Sequence, residues 1–169
     1  MLTYLIIYVP RFDYIQGRIF SFFNRETGTH NFQSDKAIES ITSGGFFGKG
    51  IGEGVLKNRV PEAHTDYIIS VISEEFGVVA IMLILLLFLI LIYMVFKKIS
   101  FETNDKVKLI LIGSISLILM QATIHVGVNI RLFPTTGMTL PFLSYGGSSI
   151  ISTSILGGII LNLTKRKIT

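Results

Sequence analysis

The sequence predicts an all-α integral membrane protein, and three observations carry that prediction. Half of its residues are hydrophobic and only 15% are charged. The apolar residues are gathered into long uncharged runs instead of being spread through amphipathic patterns. Three of those runs reach the ~20 residues needed to cross about 30 Å of hydrocarbon. The chain has no cysteine, which excludes disulfides, thiolate metal sites and a thiol nucleophile. Its histidines, His30, His64 and His125, are scattered, which argues against a zinc cluster. The net charge of +4 bears on topology and anionic headgroups. No basic run with interleaved aromatic residues offers a surface to nucleic acid.

The elements follow in order. Residues 1–9 are apolar but too short to span. No basic stretch precedes them and no small-residue cleavage site follows, so they read as the end of a truncated transmembrane helix and not as a signal peptide. On this reading the chain is the C-terminal piece of a longer protein. Residues 10–65 are polar and mixed, and form a large loop. Residues 66–96 form a transmembrane helix with a polar start, uncharged and Leu/Ile-rich over 76–96. Residues 97–108 are a short charged loop, and 109–130 a second transmembrane helix. Residues 131–140 are a connector with Pro134 and Gly137. Residues 141–163 are a third transmembrane helix interrupted by small residues, and 164–169 a basic tail.

Charge bias orients these spans. Lys97, Lys98, Lys106 and Lys108 follow the first span; Lys165, Arg166 and Lys167 follow the third. An even number of crossings separates the two groups, so both face the cytoplasm. Loop 10–65 and connector 131–140 are then extracytoplasmic. Loop 10–65 carries Arg11, Arg18, Arg25, Lys36, Lys49, Lys57 and Arg59, which runs against the rule. A loop of that length translocates largely regardless of charge. The expected location is therefore the cytoplasmic (inner) membrane, multi-pass, with the main loop outside.

Four stretches could carry chemistry. Ser43-Gly-Gly-Phe-Phe-Gly-Lys-Gly-Ile-Gly-Glu-Gly54 is neither a P-loop nor a dinucleotide fingerprint, because Gly50 follows Lys49 where Ser or Thr should stand and no strand precedes it. Its glycines would let backbone approach a ligand, with Lys49 able to meet a phosphate. The plainer reading is a mobile surface loop. The second stretch is Val60-Pro-Glu-Ala-His-Thr-Asp66. A helix starting near Thr65 would use that residue as N-cap and hold Asp66 ionised in its first turn. Projected onward, Asp66, Ser70, Ser73, Glu74 and Gly77 form one polar stripe, with Glu75 adjacent. Carboxylates near membrane depth usually face a cavity or a partner, so the stripe indicates a functional cleft; simple capping is the alternative for Asp66 alone. Third, Ser114, Gln121, His125 and Asn129 share one helical face, most simply as interhelical hydrogen-bonding groups. Fourth, residues 134–149 hold prolines, glycines and hydroxyls at membrane depth, where irregular backbone must be buried or line a wet cavity.

At these residues the chain resembles the SEDS family (shape, elongation, division and sporulation proteins) of bacterial peptidoglycan glycosyltransferases. The resemblance rests on Ser43-Gly-Gly-Phe-Phe-Gly-Lys-Gly-Ile-Gly52, Pro61-Glu-Ala-His-Thr-Asp66, Glu74-Glu-Phe-Gly77 and Pro134-Thr-Thr-Gly-Met-Thr-Leu-Pro-Phe-Leu-Ser-Tyr-Gly-Gly-Ser-Ser149, in that order. Gly52-Glu-Gly-Val-Leu-Lys57 and Gly137-Met-Thr-Leu-Pro-Phe142 are closer to the division branch than to the elongation branch. The resemblance implies the C-terminal part of a bundle of about ten helices, and it maps the family's essential loop aspartate onto Asp66. His125 stands where such sequences usually have Asn, Tyr67 where Phe is usual, and Ile41-Thr42 where Ile-Gly is usual.

The implied reaction is polymerisation of lipid II on the outer face during septal cell-wall synthesis, with Asp66 as general base. Lys49, Lys57 and Arg59 would meet the departing pyrophosphate, and Glu62 and His64 would orient the sugars or Asp66. A divalent cation, magnesium or manganese, could assist. The implied partners are lipid II, a class B penicillin-binding transpeptidase and other divisome proteins, with no nucleic acid. Three rival readings stand: a lipid II flippase, a non-catalytic scaffold that docks the transpeptidase, and an inactive fragment.

Overall fold

The computed structural model describes Gly17, residues 29–54 and residues 63–165. The expected truncated helix at 1–9, the site candidates Lys57, Arg59 and Glu62, and the basic groups Arg166 and Lys167 lie outside the described residues. Among the described residues the regular elements are all helical: α1 Thr29–Gly44, α2 Ile68–Phe101, α3 Asp105–Asn129 and α4 Gly147–Thr164. The last three are long and apolar enough to cross a membrane.

Helix α3 is the central member. A third of its most apolar stretch is buried, against 6% for α2 and 11% for α4. Leu111, Ile115 and Ile118 on α3 pack with Val95 of α2 and Ile160 of α4. The free flanks of α2 and α4 expose Leu, Ile, Phe and Met side chains, as lipid-facing surfaces do. Asn104 caps α3, its side chain accepting from the Lys106 amide.

Helix α1 lies across the start of α2 through small residues. Ala37 and Ser40 are fully buried, and a Cβ on Gly44 would come within 1.9 Å of the Ser73 carbonyl oxygen. That ridge, spaced i, i+3, i+7, lets the two backbones nearly touch. Tyr67, Val71 and Ala63 pack against Ala37 and Val128 on the same side.

Helix α2 is broken once, at Gly77, with φ 78° and ψ −179°. Only glycine adopts that region without strain. The glycine-rich loop fills the break. The amides of Lys49 and Gly50 donate to the carbonyls of Glu74 and Glu75 at 2.8 and 3.0 Å. The amides of Val78 and Val79 donate to the carbonyls of Gly45 and Phe46 at 3.0 and 3.4 Å. Four hydrogen bonds that a continuous helix would partly keep to itself are thus shared with the loop. The reading of this segment as a mobile surface loop is corrected: its backbone is built into the helix.

The second correction concerns the start of α2. Thr65 is not its N-cap. Residues 63–67 form a turn, the helix begins at Ile68, and Tyr67 occupies the cap position with no side-chain hydrogen bond. Residues 130–146 between α3 and α4 are irregular, with positive φ at Arg131 (62°), Gly137 (72°) and Phe142 (65°). Leu140 and Pro141 are nonetheless buried, and the Leu140 amide donates to Ser144 Oγ at 2.8 Å.

Candidate active site

The turn that bears Asp66 is anchored at both ends. Ala63 and Tyr67 are buried, whereas His64 is exposed and Thr65 and Asp66 are half-buried. Between the anchors, consecutive backbone carbonyls are each taken by a different neighbour. The Tyr145 amide donates to the His64 carbonyl at 3.0 Å. His125 Nε2 lies 3.4 Å from the Thr65 carbonyl. Asn129 Nδ2 donates to the Asp66 carbonyl at 2.9 Å.

Asn129 is the hub of this clamp. Its Nδ2 also donates to the carbonyl of His125 at 2.9 Å, and its Oδ1 accepts from Ser70 Oγ at 2.9 Å. Both His125 and Asn129 are fully buried. With the His125 proton on Nε2, facing Thr65, Nδ1 is left bare 3.4 Å from Asn129 Nδ2, whose two protons serve the carbonyls of Asp66 and His125. This tautomer follows from the partners, not from observed hydrogens. The stripe expected to glue helices does so, and what it holds is the Asp66 turn. Gln121, from the same stripe, donates to the Thr139 carbonyl at 2.9 Å and to Ser149 Oγ at 3.2 Å, tying the connector to the start of α4.

The connector closes on the carboxylate. Asp66 Oδ2 lies 3.9 Å from the position a Cβ on Gly137 would take. Glycine there lets the connector backbone run beside the carboxylate.

The rest of the α2 stripe does not line an open cleft. Ser70, Ser73 and Glu74 are fully buried. Ser70 is used by Asn129. Glu74 Oε2 accepts from Ser40 Oγ at 3.2 Å, and its Oε1 pairs with Lys49 Nζ at 3.2 Å. The stripe was expected to point to a cleft; α1 and the glycine-rich loop fill that space instead. Lys49 therefore directs its charge at Glu74. Tyr67 Oη lies 3.4 Å from Ser34 Oγ, and Arg131 pairs with Asp35, so α1 is also stitched to the turn and to the end of α3.

Of the sequence candidates, the fold puts Asp66 and His64 on one turn and Lys49 on the inserted loop. Asn129 and His125, read from the sequence as interhelical hydrogen-bonding groups, form the clamp; Gly77, read on the polar stripe, is the break, and Gly137, read in the connector, flanks Asp66. An isolated glycine inside an otherwise apolar helix was the signal available for the break. Among the described residues no three His, Asp or Glu side chains gather as they would around a divalent cation.

An apolar cavity of about 450 Å³, open on one side, runs between α2 and α3, lined by Ile69, Phe88, Ala122, Val126, Phe133 and Leu140. Ile69 and Leu140 belong both to its wall and to the packing under the turn. A carboxylate-bearing turn over an apolar cavity, in a bundle of three helices long and apolar enough to cross a membrane, defines a multi-span membrane protein. The family described as "Cell cycle protein", that of FtsW, RodA and SpoVE, matches residues 1–168, and the chain belongs to it. It is 37% identical over 160 residues to the probable peptidoglycan glycosyltransferase FtsW of Enterococcus hirae, covering 93% of this chain and 40% of that protein. The protein of the same description from Caulobacter vibrioides is 38% identical over 158 residues, 92% of this chain and 40% of its own length. That from Geobacter metallireducens is 36% identical over 168 residues, 98% and 45%. The chain thus spans less than half the length of these relatives.

Proposed function

We propose that this chain carries the acceptor-activating part of a division-associated peptidoglycan glycosyltransferase, with lipid II as substrate. The observation that supports this most directly is the Asp66 turn, whose backbone is clamped at three consecutive carbonyls beside Gly137. In the reaction the 4-hydroxyl of one GlcNAc forms a bond to C1 of the MurNAc of a second unit. The bond from C1 to the pyrophosphate oxygen breaks, and undecaprenyl pyrophosphate leaves with the electron pair. The hydroxyl proton passes to the Asp66 carboxylate. A sugar hydroxyl is a weak nucleophile at neutral pH, and a positioned base contributes typically ~10²–10⁴-fold.

The other roles are proposed on the same footing. His64, exposed beside Asp66, orients the sugars together with Glu62. Lys57 and Arg59 meet the pyrophosphate. Lys49 contributes its field from the Glu74 pair. The orientation proposed is the one charge bias favours, in the cytoplasmic membrane with the turn outside. A class B penicillin-binding transpeptidase and other divisome proteins are the partners that fit septal synthesis.

Transport is the weaker reading. Carriers break their helices near the bilayer midplane. Gly77 is one residue inside the uncharged run 76–96, at its edge.

The test is lipid II polymerisation by Asp66→Asn, made in this chain in its native membranes and in parallel at the equivalent position of the Enterococcus hirae relative. Glycan product is expected to fall at least ~10²-fold with insertion unchanged. Near-normal product from correctly inserted protein would sink the base assignment. Lipid scrambling in vesicles without polymerisation would favour the flippase.

A further inference from the structure

The glycine-rich loop presents its largest apolar side chains outward. Phe46, Phe47 and Ile51 are 76%, 86% and 80% exposed. In a water-facing loop such a cluster is unfavourable, and contiguous exposed apolar surface marks an interaction site.

The depth of the loop follows from its hydrogen bonds. It is tied to α2 at residues 74–79, so its tip shares the level of Gly77 along that helix. The uncharged run of α2 ends at Lys97 and Lys98. Counting back ~20 residues at 1.5 Å each covers the ~30 Å of hydrocarbon and returns to the neighbourhood of Gly77. Gly77 therefore sits at the hydrocarbon boundary opposite the lysines. On α2 itself Phe76 and Val79 are 45% and 51% exposed at this level, and the exposed apolar face continues from them down the span. The loop's apolar cluster is bonded to the top of that lipid-facing surface.

Two further features fit a boundary position. The loop's backbone groups are paired with α2 at Gly45, Phe46, Lys49 and Gly50, which lowers the cost of bringing irregular backbone near lipid. Its one ammonium, Lys49, is paired with Glu74.

We propose that this loop is an interfacial membrane anchor, with Phe46, Phe47 and Ile51 seated at the headgroup–acyl boundary of the bilayer. Aromatic side chains favour that layer. The anchor fixes the level of the loop and, through α2, the level of the Asp66 turn above the lipid surface. The anchor does not depend on the enzymatic reading.

The chain has no tryptophan, so a single substitution gives a clean reporter. Phe47→Trp and, separately, Ile51→Trp would be reconstituted in phosphatidylcholine–phosphatidylglycerol vesicles. The lipids would be brominated near the headgroup end, the middle or the methyl end of the acyl chain. Met82→Trp, lower on the exposed face of α2, serves as the depth ruler in the same vesicles. The expected result is blue-shifted emission from both loop variants, lost most strongly to bromine near the headgroup end and little to aqueous iodide. The ruler should respond to deeper bromine. Strong iodide quenching with no bromolipid quenching would put the loop in water and overturn the proposal. Resistance to both quenchers would mean that protein covers the loop, which overturns it equally.

Discussion

Replacing Gly77 with alanine tests whether α2 and the glycine-rich loop are one structural unit. In the present backbone the new Cβ would lie 2.2 Å from the Phe46 carbonyl oxygen and 2.5 Å from the Gly48 nitrogen. Alanine at φ 78° and ψ −179° also carries roughly 1–3 kcal/mol of strain. The chain can escape by closing the break into continuous helix. Val78 and Val79 would then return their amides to Glu74 and Glu75, and alanine would gain up to ~1 kcal/mol over glycine in helix propensity. The loop would lose the four backbone bonds that dock it, of which two are regained inside the helix. Each net bond is worth about 0.5–1.5 kcal/mol, so two lost bonds nearly balance the relieved strain. Docking should therefore weaken by roughly 1–3 kcal/mol, or about five- to 150-fold in equilibrium constant. Hydrogen–deuterium exchange in lipid nanodiscs reads this residue by residue. The Lys49 and Gly50 amides should lose protection by that factor, while Val78 and Val79 stay protected. Gly113→Ala is the control, since a Cβ there meets nothing within 4 Å. Wild-type protection at Lys49 and Gly50 would refute the reasoning. So would parallel loss at all four amides, which would mean that the helix opens and does not close.

Other expectations follow from the clamp and the buried pair. Asn129→Leu removes interhelical bonds to Asp66 and Ser70; at about 0.6 kcal/mol each, and up to ~1.7, the stability loss should be ~1–3 kcal/mol by thermal unfolding in detergent. Its polymerisation rate, measured in the Enterococcus hirae relative as well, should fall near ~10²-fold, because a base displaced by about 1 Å loses that much. Lys49→Met removes one cation from Glu74, buried beside Ser40, and should lower the unfolding midpoint; adding Glu74→Gln should restore part of the loss, and failure of that rescue would dissolve the Lys49–Glu74 pair as the cause. Gln121→Leu should free the connector at Thr139, seen as faster proteolysis within 130–146.

Much of this was legible in the sequence because lipid imposes simple demands. The uncharged run 76–96 had to be a span, and the spacing of Gln121, His125 and Asn129 had to put them on one face. The candidate Asp66 was legible through resemblance, and its helix start was not. Helix-capping logic chose Thr65, but the carbonyls of Thr65 and Asp66 are drawn out of the α2 ladder by His125 and Asn129, sixty and sixty-three residues away. No local rule reads such a pairing. The same holds for Glu74: periodicity put it on the stripe of Asp66, yet what it meets depends on where α1 and the loop cross, which Gly44 and Gly77 decide through close approach. Lys49 likewise looked available to phosphate until Glu74 was found opposite it.

These distant pairings bear on how the proposed base, Asp66, is placed. The clamp works through the backbone, fixing the turn at the carbonyls of His64, Thr65 and Asp66. Its donors come from α3 and from Tyr145 ahead of α4, so the position of the turn depends on how those two elements sit together. Gln121 ties them through Thr139 and Ser149. A shift of α4 against α3 must therefore be absorbed at Gln121 or be passed to the Asp66 turn. In this geometry the α3–α4 contact sets where the Asp66 turn lies.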